Sequence, residues 1–180
     1  IKGGSVVPTA LMSLEDEPEK HLVRAKRFYE SKFKVNTLKP NFIPKSKIYI
    51  GYFSADFYDH ATMHLISRIF EHHDRSSFQI YAYFYGTHKE DNVTNALKKL
   101  VDVYRDVRSF NDSHLVELVR SDSIDIAVDL KGFTKDSRMS IFSYGLAPVQ
   151  ISYLGYPGST GANCFDYLIA DKILIPKKNQ

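Results

Sequence analysis

From residue 48 to residue 170, short apolar runs alternate with segments whose apolar positions recur at helical spacing. Runs rich in aromatic and β-branched side chains predict strands at 48–53 (IYIGYF), 78–86 (FQIYAYFYG), 103–108 (VYRDVR), 124–130 (IDIAVDL), 149–154 (VQISYL) and 166–170 (DYLIA). After the first of these, Leu65, Ile66, Ile69 and Phe70 predict a helix with those four on its inner face. Further helices are predicted at 90–101 (EDNVTNALKKLV), at 111–122 with Asn111 or Asp112 as cap, and, short, at 137–145 (SRMSIFSYG). Upstream, residues 16–33 (DEPEKHLVRAKRFYESKF) predict a helix. Asp16 stands as its cap, Glu19 at the capping-box position and Pro18 in the first turn, while Leu22, Ala25 and Tyr29 form one apolar stripe. Pro40 and Pro44 end that segment, and residues 1–12 look like a connector.

Buried-looking strands alternating with helices of about ten residues predict parallel βαβ units. The expected fold class is α/β: a Rossmann-like parallel sheet with helices on both faces over residues 47–180, preceded by a connector and helix over 1–46. In such sheets ligands bind beyond the carboxyl ends of the strands. The three richest polar loops, 54–60 (SADFYDH), 131–137 (KGFTKDS) and 155–163 (GYPGSTGAN), each follow a predicted strand and so fall on one edge. One shared cleft is the economical inference.

Composition narrows the setting. A chain of 180 residues is long enough for one domain with a proper core, and too short for two comfortable ones. The net charge of +3 is spread along the chain, so no nucleic-acid partner is expected. Cys164 is the only cysteine, which rules out an intramolecular disulfide and any CxxC motif and points to a reducing, cytoplasmic setting. No apolar run approaches membrane-spanning length, so no membrane partner is expected.

The candidate chemistry starts at His60 and His64, four residues apart and therefore able to share a helix face. An HxxxH pair can chelate zinc, but the protease version requires Glu after the first His, where Ala61 stands. A third ligand would have to come from Asp56 or Asp59, and no metal is expected. His64, inside the helix, is expected to be buried and tied by a hydrogen bond. His60 sits at the loop-to-helix junction facing the cleft, where an imidazole could accept a proton from an incoming hydroxyl. The loop at 155–163 is neither a Walker A motif nor GxGxxG. It could bring backbone N–H groups to an anionic or sugar ligand, with Ser159 and Thr160 nearby, although by spacing alone it reads as a tight connection between strands. Lys131, Thr134, Lys135 and Arg138 offer a cationic loop fit for phosphate or an acidic peptide, or simply a solvated one. His72, His73 and Asp74 read as an exposed helix cap.

Three blocks, ALMSLEDEPEKHLVRAKRFYE at 10–30, IGYFSADFYDHATMHL at 50–65, and DLKGFTKDSRMSIFSYGLAPVQISYLGYPGSTGANCFDYLIAD at 129–171, carry a resemblance to a known family. They resemble the O-linked N-acetylglucosamine transferases of the SPINDLY type, glycosyltransferase family 41. Residues 85–122 match only in pattern. Ala61 stands where the family usually has Pro, Tyr153 where it has Trp, and Ser159-Thr160 inverts its Thr-Ser. None of these changes removes a titratable group.

The resemblance implies a GT-B catalytic unit of two Rossmann-like lobes, usually after tetratricopeptide repeats. It implies inverting, metal-free transfer of N-acetylglucosamine from UDP-N-acetylglucosamine, as donor substrate, to Ser or Thr hydroxyls of acceptor proteins. The chain matches the N-terminal lobe and its connector. It is expected to stop, at ILIPKKNQ, shortly before that lobe would finish, with the main nucleotide-sugar lobe outside it. His60 matches the family histidine assigned either as a base or as a transition-state contact. Gly155, Tyr156, Pro157, Gly158, Ser159 and Thr160 match the loop lining the sugar and acceptor side, and Thr134 and Lys135 match a second lining loop. Two other readings stay open: a dinucleotide-binding module, disfavoured because no GxGxxG follows the first strand, and a non-catalytic protein-interaction domain that keeps the lobe fold.

Overall fold

The structure is a computed structural model that describes residues 6–33, 38–87 and 90–176. Of the connector expected over 1–12, the first five residues lie outside the described residues, as do the last four of the chain. The first helix, α1, spans Pro18–Lys32. The expected Asp16 cap is not formed: Pro18 occupies the first turn, the cap position falls on Glu17, and Glu17 makes no side-chain capping bond. Ala25 and Tyr29 are buried as the stripe predicts, but Leu22, one turn earlier, projects past the rim of the core and is 44% exposed.

Six strands follow in alternation with helices: β1 Ile48–Ser54, α2 Ala61–His72, β2 Phe78–Phe84, α3 Asn92–Leu100, β3 Val103–Asp106, α4 Asp112–Ser121, β4 Ile126–Asp129, β5 Val149–Tyr153 and β6 Tyr167–Ile169. A 3-10 segment, Met139–Tyr144, separates β4 from β5. The strands form one sheet in the order β3-β2-β1-β4-β5-β6, and every neighbouring pair is parallel. The chain therefore lays β2 and β3 outward on one side of β1, then returns to lay β4, β5 and β6 on the other. The order reverses between β1 and β4, the kind of switch point beyond which ligands bind in open α/β sheets.

Alternation along the strands feeds two cores. Ile50, Tyr52, Ile80, Ala82, Phe84 and Val128 pack under α2 and α3. Phe53, Tyr81, Tyr83 and Ala127 face the other way, against Ala25 and Tyr29 of α1, Leu115 and Val119 of α4, and the 3-10 segment. Helices thus cover both faces, as expected, and α1 packs into the same core as the sheet.

The buried stripe of α2 is Thr62, Met63, Ile66 and Phe70. Leu65, expected inside, is 68% exposed, and Ile69 is only half-buried. Met63 and Leu65 are both apolar, so periodicity admits either rotation of the helix, and packing selects the one that buries Met63. His64 moves outward with Leu65 and is exposed, against the expectation of burial. His73 is no exposed cap either. It is half-buried, its Nε2 lies 2.9 Å from the Tyr52 hydroxyl, and burial holds its imidazole below the usual range. Of Asn111 and Asp112, Asn111 caps α4, its side-chain oxygen accepting from the His114 N–H at 2.9 Å.

The sheet edges differ. On β3, Arg105 pairs with Asp122, and Asp106 pairs with Arg108 just beyond the strand. On β6, Tyr167, Leu168 and Ile169 are 64%, 45% and 47% exposed. Among the described residues no helix is long and apolar enough to cross a membrane.

Candidate functional site

The loop leaving β1 is fixed from within before it presents anything outward. Phe57 is fully buried. Its carbonyl accepts from the Thr94 hydroxyl at 2.7 Å, and the Asp59 N–H donates to Asp91 at 2.7 Å, so the start of α3 holds the loop. His60 is consequently delivered in extended conformation to the N-cap of α2, where its Nδ1 accepts from the Thr62 N–H at 3.1 Å. A backbone N–H can only donate, so Nδ1 supplies a lone pair and a neutral ring must carry its proton on Nε2. The side chain is 37% exposed, beside the Tyr58 ring, and Nε2 has no protein partner among the described residues.

The loop leaving β4 is organised by Asp129, which is buried and accepts from the N–H groups of Lys131 at 3.0 Å and Gly132 at 2.8 Å. Burial pushes this carboxyl up to about 6, against the two N–H donors and the Lys131 ammonium, which favour its charge. Gly132 has φ +52, and a Cβ there would stand 2.4 Å from the Tyr156 Cβ, so the next loop leaves no room for a side chain. Lys131 folds inward, its Nζ 2.6 Å from Asp56 Oδ2, and the two side chains are 6% and 8% exposed. The Arg138 guanidinium lies 5.8 Å from the centroid of the Tyr85 ring.

In the loop leaving β5, Leu154 takes φ +60 just before Gly155. A Cβ on Gly155 would fall 1.8 Å from the Leu130 carbonyl oxygen, so only glycine lets the loops after β4 and β5 touch. Tyr156 is buried and meets Phe133 edge-on at 5.5 Å. Pro157 and Ser159 are exposed, Gly158 is half-buried, and Thr160 is buried. The Thr160 hydroxyl accepts from the Ala162 N–H at 3.4 Å.

The three loops expected to share an edge do so, on adjacent strands β1, β4 and β5. The bridge from Lys131 to Asp56 joins the first two, and the contacts of Gly132 and Gly155 join the second to the third. One expectation is corrected. The cationic loop keeps only Lys135 exposed, since Lys131 is paired with Asp56 and Arg138 with Asp112 at 3.0 Å, while the Thr134 hydroxyl donates to the Lys131 carbonyl at 2.8 Å. His60 and His64 have separate partners, and His64 Nε2 bonds the exposed Asp59 at 2.8 Å. Among the described residues no three His, Cys, Asp or Glu side chains are grouped to hold a metal.

Sequence reasoning missed Asp129 and the joining of Lys131 to Asp56. Asp129 had a local signal, an Asp ending a strand with Gly three residues on, where its carboxylate can take loop N–H groups. The ion pair had none, because its members lie 75 residues apart.

A sequence model of glycosyl transferase family 41 matches residues 22–180. The chain is 32% identical over 130 residues to a probable UDP-N-acetylglucosamine–peptide N-acetylglucosaminyltransferase, SEC, of Arabidopsis thaliana, covering 72% of this chain and 13% of that protein. It is 33% identical over 131 residues to the UDP-N-acetylglucosamine–peptide N-acetylglucosaminyltransferase of Caenorhabditis elegans, covering 72% of this chain and 11% of that protein. A solved structure of a Thermobaculum terrenum O-GlcNAc transferase mutant matches with a TM-score of 0.85 at 30% identity, over 96% of this chain and 34% of that one. The chain thus spans under a sixth of these curated relatives' length. The family's sequence pattern runs through the sheet and all three loops at its edge, and the chain belongs to glycosyl transferase family 41.

Proposed function

We propose that this chain is the acceptor-side lobe of a cytoplasmic protein O-GlcNAc transferase of GT-B architecture. The whole enzyme moves N-acetylglucosamine from UDP-N-acetylglucosamine to Ser or Thr hydroxyls of acceptor proteins, with inversion. The donor is held mainly by a second lobe outside this chain. The observation that carries the reading is the placement of His60: a half-exposed imidazole whose Nε2 has no protein partner among the described residues, at the reversal between β1 and β4, in a family of glycosyl transferases.

Inverting transfer requires the acceptor oxygen in line with the anomeric carbon and the diphosphate leaving from the opposite face. Holding those atoms in line is the orientation part of the rate. Charge on the departing diphosphate is met by donors on the second lobe. On this lobe Gly155, Tyr156, Pro157, Gly158, Ser159 and Thr160 line the sugar and acceptor side, with Thr134 and Lys135 on the neighbouring loop. His60 is the catalytic residue. In its neutral form Nε2–H is a donor, which suits holding a substrate oxygen in place better than taking a proton from it.

The test is sugar transfer by the full-length protein. His60→Ala should lower kcat by about two to four orders of magnitude, the range for a positioned group at the reacting atoms. His60→Gln, which keeps an N–H donor, should recover part of the loss. Near-native turnover by His60→Ala would remove His60 from the chemistry, and no recovery by Gln would make it a base.

A further inference from the structure

We propose that Lys131 is a positioning residue for His60: by occupying the Asp56 carboxylate, it fixes which imidazole nitrogen carries the proton. The inference rests on the reading of His60 as the catalytic residue.

Asp56 Oδ2 lies between two cations or would-be cations. Lys131 Nζ is 2.6 Å from it and His60 Nδ1 is 3.7 Å from it. The longer separation is not a hydrogen bond. A modest rotation of the imidazole would make it one, and a buried carboxylate takes such a bond readily if nothing else neutralises it. An Asp–His pair of that kind would put the proton on Nδ1 and leave Nε2 as a lone pair, the arrangement of a general base. Three contacts oppose it here. The Thr62 N–H at 3.1 Å and the Thr62 hydroxyl at 3.2 Å hold Nδ1 as an acceptor, and Lys131 supplies Asp56 with a full positive charge. Neutral donors are a weak guard against an uncompensated buried carboxylate, since bonds to charged groups are about twice as strong as neutral ones. The ammonium is therefore the deciding element.

The same assignment accounts for burying the ion pair at all. Two ions that are 6% and 8% exposed cost more in lost hydration than an apolar pair of similar size, so stability alone is a poor reason to keep them. Lys131 also joins the loop after β4 to the loop after β1. Its own N–H is held by Asp129 at 3.0 Å, which fixes where its side chain begins. Any shift of the β4 loop thus reaches the tautomer of His60 through one side chain.

The experiment reads the His60 ring of this chain directly, by two-bond proton–nitrogen NMR correlations at alkaline pH, with His60→Gln for assignment. Wild type should show the Nε2–H tautomer. Lys131→Met should move the proton to Nδ1, and so should Lys131→Gln, which keeps a donor for Asp56, and with it the fold, while removing the charge. The double change Asp56→Asn with Lys131→Met removes the competing carboxylate and should restore Nε2–H. An Nδ1–H ring in wild type, or Nε2–H persisting in folded Lys131→Gln, overturns the proposal. In the full-length enzyme Lys131→Gln should lower kcat by up to about 10⁴-fold, as expected when a catalytic histidine carries its proton on the wrong nitrogen. KM should stay within about twofold, because the interaction lost is one made at the transition state, and the double variant should regain most of the rate. A tautomer that moves while kcat does not would support Lys131 as the positioning residue and overturn the catalytic reading of His60 instead.

Discussion

A carboxyl group at the carboxyl end of β4 holds the second loop by two N–H bonds, yet its burial works against the charge that strengthens those bonds. Asp129 ionises at about 6 in the folded chain, and at about 3.9 in an unfolded one. The folded state therefore keeps the proton more tightly. The stabilisation from that proton is complete below about pH 4 and is lost as pH rises through about 6. Across the whole titration the difference amounts to about 3 kcal/mol. Asp129→Asn cannot ionise, so its stability relative to wild type should climb between pH 4 and pH 7, whatever fixed cost the lost acceptor adds. Urea unfolding of both proteins at several pH values checks this, and a flat difference across that window would contradict it. Asp129 also marks the limit of local reading at this scale. The Asp-x-x-Gly spacing could have announced the loop N–H bonds, but whether the carboxyl is buried depends on neighbours that no local pattern names.

Element by element, the strands were largely legible, because alternation acts over a few positions; of the expected caps, Asn111 forms and Asp16 does not. Asp91, not among the expected caps, shows how much one can carry. Its carboxylate accepts from the Thr94 N–H at 2.8 Å while Thr94 completes the capping box, and it also accepts from the Asp59 N–H at 2.7 Å. One side chain thus starts α3 and tethers the loop that ends at His60. Asp91→Ala should cost about 0.5–2 kcal/mol, the range for losing an N-cap. The Asp59 amide should exchange with solvent faster than in wild type. Thermal unfolding with hydrogen exchange would check both parts, and unchanged exchange at Asp59 would show that the loop is held elsewhere. What could not be read is the rotation of α2. Met63 and Leu65 are equally apolar, and only the sheet beneath them decides which is buried. That choice also turned His64 outward, away from the packing role its position in the helix implied. His73 is the converse, drawn under cover by the Tyr52 hydroxyl from the adjoining strand.

At the scale of the whole molecule, the strand order sets where the loops gather. Strand–helix alternation predicts a parallel sheet, and a parallel sheet sends every strand's outgoing loop to one edge, so the gathering of the three loops was legible from the sequence. The neighbour relations were not. The pairing of β1 with β4 joins Ile50 to Ile126, a contact fixed by the global order and by no local signal. The two outer strands then have unequal fates. The β3 rim is lined by ion pairs of Arg105 and Asp106, whereas β6 presents Tyr167, Leu168 and Ile169 in succession without a charge among them. An unguarded apolar edge offers its free peptide groups as a template to any other strand. Concentrated solutions of this chain should therefore lose monomer with time, through edge-to-edge growth that starts at β6. Leu168→Lys should slow the rise in light scattering at a given concentration. Its melting temperature should barely change, since Leu168 is already 45% exposed. The same growth from Leu168→Lys as from wild type would place the nucleus at another surface; a marked delay would make β6 the part of this lobe that most depends on being covered for the protein to stay dispersed.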